Sequence, residues 1–284
     1  MSTASAPRVC ARDSQALRIL QVTDLHTDAC ETATRRSFDA LAAAVRAERP
    51  DLLAVTGDLW CSDTRPELAS ILMLRDLAFL ADLGVPWAFT PGNHDCIPDP
   101  ARVRREMGCV PRALLDPARP LGAFRVEACD PEGTPRWDLY FANSGEAWQL
   151  PGDLAWMAPE AAALAGARGT TLPALAFFHI PTRTYRDAMA AGTAVGLAQE
   201  TVLCTGDEED AAHGLLRGVP GLAGCFCGHS HRNDFHVVRD GIRYAYGRVG
   251  GFGGYGAEDT PRGIKRIVLG LRDGRIEADT LCFA

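Results

Sequence analysis

Short apolar runs of strand length alternate along the chain with stretches whose apolar positions recur at helical spacing, the pattern of an α/β sheet. Residues 17–23 (LRILQVT) read as a first strand. Phe38, Leu41, Ala42 and Val45 then share one face, which predicts a helix over 34–48 that Pro50 stops. A second buried strand is expected at 51–56 (DLLAVT). Thr64, Arg65, Pro66 and Glu67 fit a capping box opening a helix that ends at Gly84, and 85–90 read as a third strand. Between 98 and 135 prolines, arginines and turn residues obscure the pattern. Beyond it, 138–143 (DLYFAN), 175–178 (LAFF) and 223–227 (AGCFC) read as strands, with an alanine-rich helix at 159–168. The end, 241–283, reads as a β-meander enclosing a glycine-rich loop.

With 284 residues, 47% of them hydrophobic and 23% charged, the chain has ample material for a core. No repeat or low-complexity linker divides it, so 1–16 are expected to form an N-terminal tail and 17–284 one domain. A formal charge of −7 argues against nucleic acid or acidic lipid held by bulk charge. Residues 1–14 contain no apolar core of the length a signal peptide needs, and no later run reaches about 18 apolar residues, the most apolar stretch, 77–89, being broken by Asp82 and Pro86, so a cytoplasmic protein is expected. Ten cysteines without a Cys-x-x-Cys pair fit reduced, mostly buried thiols.

Candidate chemistry lies where the strands end. Five such ends carry Asp24-Leu25-His26, Gly57-Asp58, Gly92-Asn93-His94-Asp95, His179 and Gly228-His229-Ser230-His231. Ligands in open α/β sheets bind at the carboxyl ends of strands, so these loops are expected to converge. Five of the seven histidines fall in these blocks. Imidazole and carboxylate together suit first-row divalent metals, and two ions sharing one carboxylate need about seven protein ligands.

The ordered blocks D-x-H, GD, GNHD, H and GHxH resemble the calcineurin-like metallophosphoesterases, from Leu17 to about Gly254. The resemblance implies an α/β fold, a two-layer β-sandwich flanked by helices, with a dinuclear metal centre that hydrolyses phosphate esters. Carried over by position, Asp24, His26 and His231 would hold one metal, Asn93, His179 and His229 the other, and Asp58 would bridge them. His94 would be the catalytic histidine that is not a ligand, with Asp95 orienting it. The stretches FHIP at 178–181 and HRNDF at 231–235, with YGRVGGFGGYG at 246–256, resemble the purple-acid-phosphatase-related branch. That branch's iron-binding tyrosine would sit at Cys61, so Mn, Fe, Zn or Co as divalent ions remain open and no purple colour is expected. A phosphomonoesterase acting on a small molecule or a phosphoprotein is expected. A phosphodiesterase on the same site is the alternative, and a non-catalytic scaffold of the same fold the remote one.

Residues 251–256 also match G-x-G-x-x-G, but Thr260-Pro261-Arg262-Gly263 follows instead of a helix, which argues against a dinucleotide. Arg248 is a candidate phosphate contact. Cys225 and Cys227 suit core packing, while Cys61 is ambiguous. Arg183, Tyr185 and Arg186 are candidates for the substrate mouth, and His213 and His236 for solvated or locally bonded positions.

Overall fold

The computed structural model describes residues 6–28, 30–61, 66–95, 99–116, 123–144, 150–202 and 210–284. Two sheets pack face to face, with helices on both outer surfaces, as the α/β sandwich reading expects. The smaller sheet contains β2 (Ala16–Val22), β3 (Leu52–Thr56), β4 (Trp87–Thr90), β12 (Gly263–Gly270) and β13 (Ile276–Cys282), in the order β13-β12-β2-β3-β4. The larger contains β1 (Arg8–Cys10), β5 (Phe124–Cys129), β6 (Pro135–Phe141), β7 (Ala174–Phe177), β8 (Val195–Ala198), β9 (Leu222–Cys227), β10 (Asn233–Arg239) and β11 (Ile242–Tyr246). Its order is β1-β5-β6-β7-β9-β11-β10-β8.

Period-2 alternation decides which core each side chain joins. In β2, Leu17 and Ile19 enter the layer between the sheets with Val126, Leu139, Phe141, Phe177 and Phe226. Leu20 and Val22 face outward, onto Leu41 and Val45 of α1 (Glu31–Glu48) and Leu72, Met73, Leu77 and Leu80 of α2 (Ala69–Asp82). On the opposite outer face, Tyr140, Ala176, Cys225 and Cys227 meet Met157 and Ala161 of α5 (Met157–Arg168) and Leu216 of α7 (Ala211–Arg217). Trp137 is fully buried in β6 and donates its indole N–H to Gly270 O at 3.0 Å, which ties one sheet to the other. The strands β2, β3 and β4 run parallel, as do β6, β7, β9 and β11, so each set ends at one edge of its sheet.

Several expectations need correction. The 1–16 tail holds β1, which pairs in parallel with β5 and buries Val9 between the sheets; a three-residue strand carries too little pattern to read. The obscure 98–135 stretch holds α3 (Pro100–Cys109) and β5, and residues 98 and 117–122 of it lie outside the described residues. The expected meander is split: β11 forms a hairpin with β10 and pairs with β9 in the larger sheet, while β12 and β13 form a hairpin in the smaller. Thr64 and Arg65 of the capping box lie outside the described residues, and α2 starts at Ala69 behind a 3₁₀ turn at Pro66–Leu68. Two further short helices complete the outer layer, α4 (Leu150–Leu154) and α6 (Arg183–Ala190). No helix among the described residues is long and apolar enough to cross a membrane.

Candidate active site

The loops after β2 and β3 continue the ladder of their strands. Asp24 N donates to Gly57 O, His26 N to Asp58 O and Thr27 N to Leu59 O at 3.0, 3.0 and 3.1 Å. Side chains reach one point only because the backbone turns sharply: Asp24, His26, Asp58 and His229 all have positive φ, at 53°, 45°, 50° and 80°. For residues with a Cβ this region costs of order 1 kcal/mol or more, and such strain clusters at functional sites. Gly228 shows why the neighbouring glycine is required: a Cβ there would overlap Thr23 Oγ1 and lie 2.6 Å from Asp24 Oδ2.

Two groups of donors with no residue in common result. Asp24, His26 and His231 offer ligand atoms within 4.8 Å of one another, and so do Asp58, His179 and His229; His26, Asp58 and His94 form a third group that overlaps both. Asp58 Oδ2 stands between the groups, 3.4 Å from His26 Nε2 and 3.1 Å from His179 Nε2. Its other oxygen accepts the His94 backbone N–H at 2.9 Å. His231 Nε2 lies 2.9 Å from His26 Nε2 and 3.5 Å from Asp24 Oδ1. His179 Nδ1 lies 2.8 Å from Thr56 O and His231 Nδ1 3.1 Å from Tyr255 O. A carbonyl only accepts, so both Nδ1 atoms carry the proton and both Nε2 atoms point their remaining site at the centre.

Charge is concentrated here under cover. Burial opposes ionisation of Asp58, yet the positive charges of His179 and His26 outweigh it and hold the carboxyl well below its usual range. Asp24 is held low in the same way, against burial, by His231, His26 and His179. Burial also opposes charge on His179, but Asp58 and Asp24 push it up to about 10. Burial and the neighbouring His179 push His229 down to about 4. The cluster thus holds protons where a cation would displace them.

Asp95 is not the orienting partner expected for His94. Its Oδ1 accepts the backbone N–H of Leu59 and Trp60 at 2.8 and 3.1 Å, and Oδ2 that of Gly92 at 2.8 Å. It clamps the loop after β3 to the loop after β4, and burial with the charge of Asp58 raises its pKa. His94 lies at the mouth, its ring 5.0 Å from that of His26. A cavity of about 320 Å³ opens here, lined by His26, Asp58, His94, His229 and His231 together with Glu200, Gly254 and Tyr255.

Arg248 does not face this cavity, which corrects its reading as a phosphate contact. It is 8% exposed and paired with Asp234 at 2.8 Å, in a network with Lys265 and Thr280 that joins β10 to β12 and β13. Tyr185 is likewise no mouth residue: it is fully buried, its hydroxyl 3.3 Å from Cys225 O and Ala245 O. Cys225 and Cys227 are core residues, and His213 is locally bonded to Tyr244 and Asp240. Residues absent from the motifs also serve the site. Thr23 donates to Asp24 Oδ2 at 2.7 Å, and Ser144 Oγ accepts from His179 N and Ile180 N at 2.9 and 2.7 Å. Single hydroxyls in loops carry no sequence signal that marks them out.

The donor set fits divalent cations by its own geometry. Asn93 Oδ1 is buried with no hydrogen-bond partner among the described residues, an arrangement that costs about 1–3 kcal/mol unless something binds it. Residues 17–233 match the family model of the calcineurin-like phosphoesterases. The chain belongs to that family. This calcineurin-like phosphoesterase is 26% identical over 314 residues to probable inactive purple acid phosphatase 28 of Arabidopsis thaliana, covering 93% of this chain and 78% of the relative. The fold is shared with a dimetal phosphatase from Danio rerio, at a TM-score of 0.61 and 12% identity over 95% of this chain and all of the other. A purple acid phosphatase from yellow lupin seeds matches at a TM-score of 0.50 and 11% identity, over 96% of this chain and 55% of the other. The family implies a dinuclear divalent metal centre and metal-dependent phosphoester hydrolysis.

Proposed function

We propose that this calcineurin-like phosphoesterase is an active phosphomonoesterase, although the Arabidopsis relative carries the word inactive in its name. One observation supports the reading: Asp58 Oδ2 lies between His26 Nε2 at 3.4 Å and His179 Nε2 at 3.1 Å, where a carboxylate shared by two cations would have to stand. Asp24, His26 and His231 would hold one divalent ion, Asn93, His179 and His229 the other, and Asp58 both. Such ions, when bound, supply Lewis-acid chemistry that neutralises charge on phosphoryl oxygens and activates water near neutral pH.

The chain's own residues do the rest. Thr56 O and Tyr255 O fix the histidine tautomers, so that lone pairs and not N–H groups meet the cations. Asp95 holds the two loops that present Asp58 and His94, which keeps their separation constant through turnover. His94, tied to Asp58 through its amide and facing the cavity, protonates the departing ester oxygen at its imidazole. Cys61 stands where purple phosphatases would place their iron-binding tyrosine, so a ferric ion is not specially favoured and divalent Mn, Fe, Zn and Co are the candidates. The substrate is a small phosphate ester or a phosphoprotein. The eight described cysteines, all free thiols, suit the cytoplasm.

The test is elemental analysis of the purified protein, followed by a panel of monoesters, diesters and phosphopeptides assayed with Mn²⁺, Zn²⁺, Co²⁺ and Fe²⁺. Two ions per chain with turnover of monoesters ahead of diesters is the expected result. A protein with two ions that hydrolyses no ester in any metal would be a binding module instead.

A further inference from the structure

The loop 250–256 meets one metal-binding candidate, His231, through Gly254 and Tyr255. Tyr255 stacks its ring on that imidazole at 3.9 Å between centroids and 10° between planes. Its hydroxyl accepts the His231 backbone N–H at 3.1 Å, and its carbonyl accepts from Nδ1 at 3.1 Å. Gly254 lies flat against the same ring: a Cβ there would stand 2.6 Å from His231 Cε1. Position and tautomer of His231 are therefore set by residues 254–255, so whatever fixes that peptide fixes the ligand.

Arg262 fixes it. It is 3% exposed, and its Nη2 donates to Gly254 O at 2.9 Å and to Tyr255 O at 2.6 Å. Its Nε and Nη1 are buried with no hydrogen-bond partner among the described residues. Burying a guanidinium on so few bonds is unfavourable, and the two carbonyls are what it gains. A second support acts on the side chain: the Tyr255 hydroxyl donates to Glu200, whose other oxygen accepts the Arg232 N–H at 3.0 Å.

We propose that Arg262 is a positioning residue for His231, acting through the carbonyl of Tyr255, and that it sets cation affinity at the Asp24, His26 and His231 group without affecting the Asn93, His179 and His229 group. The inference rests on the two-cation reading of the site. Arg262 is not among the residues that line the cavity; its two hydrogen bonds hold the acceptor that keeps His231 Nε2 aimed inward. Lysine is not equivalent, because an ammonium lacks the planar spread that reaches both carbonyls in one geometry.

Calorimetric titration of the metal-free full-length protein with Mn²⁺ alone tests this, with thermal unfolding recorded alongside. Wild type should bind two ions. In Arg262→Met one of the two binding events should weaken about 10- to 100-fold while the other stays within about 3-fold. Arg262→Lys should fall between the two and keeps the test open if the methionine variant fails to fold. Equal weakening of both events, parallel to a drop in unfolding midpoint, would make Arg262 merely structural and overturn the proposal. Two unchanged events would overturn it as well. If wild type itself binds fewer than two ions, the two-cation reading fails first.

Discussion

The two donor groups are held in different ways. The His179 group is built by the strands themselves: His179 follows β7 fully buried, with Nδ1 on the last carbonyl of β3 and its amide on Ser144. The His231 group is closed from outside, by a glycine-rich loop that reaches it across the cavity mouth and is held by Arg262 and Glu200. Strand ends inherit the rigidity of two packed sheets, whereas a loop is only as fixed as its anchors. The first group is thus a consequence of folding, and the second depends on a few replaceable contacts. Asp58 joins them.

The largest effect should come from removing that joint. Asp58→Asn takes a shared charge from both groups, so both ions should be lost and hydrolysis should fall on the order of 10³-fold or more; Asp24→Asn should release mainly one ion. Full two-ion occupancy in Asp58→Asn, measured by elemental analysis, would separate the groups. Next is the clamp of the strand-built side. Asp95→Ala leaves the amides of Leu59, Trp60 and Gly92 without their acceptor and should cost about 3–5 kcal/mol in chemical unfolding. A loss below about 1 kcal/mol would mean that water replaces the carboxylate.

A support beneath the loop-closed side titrates. Asp76 of α2 is fully buried and accepts the hydroxyl of Thr27, next to His26. Burial pushes its carboxyl up to about 6 from 3.8, against the lowering by Arg75 and Thr27. A folded-state value above the unfolded one means that this contribution is complete below pH 3.8 and is lost as pH rises through about 6. Relative to wild type, Asp76→Asn should therefore gain up to about 3 kcal/mol in stability between pH 4 and pH 7. A difference independent of pH would contradict this. The smallest effect belongs to His94, which lies at the mouth of both groups. His94→Ala should slow alkyl phosphates about 10²-fold more than nitrophenyl phosphate, whose leaving group needs no proton, with metal content unchanged. Equal losses on both substrates would make His94 a charge stabiliser.

The same contrast explains what the sequence revealed. Asp24, Asp58, His179 and His229 were legible because each follows an apolar run whose period sets a strand, and strand ends share an edge. Asp95 was misread because adjacency to His94 says nothing about direction; its oxygens turn to the amides behind it. Arg248 was misread because a cation near a glycine-rich loop is as well placed to pair with a buried carboxylate, here Asp234, as to meet a phosphate. Tyr255 falls in the glycine-rich run at 246–256, but Glu200 and Arg262 had no pattern to betray them, since they act through long-range contacts that chain order does not encode. Among the elements, β1, β8 and α4 are three to five residues long, too short for a period to show.

Electron paramagnetic resonance of the Mn²⁺-loaded protein tests the shared carboxylate most directly, because two ions bridged by Asp58 couple magnetically and two separate ions do not. Wild type loaded with two equivalents should give a coupled spectrum that disappears in Asp58→Asn and persists in His94→Ala. Two uncoupled six-line signals from wild type at full loading would contradict a centre built around Asp58.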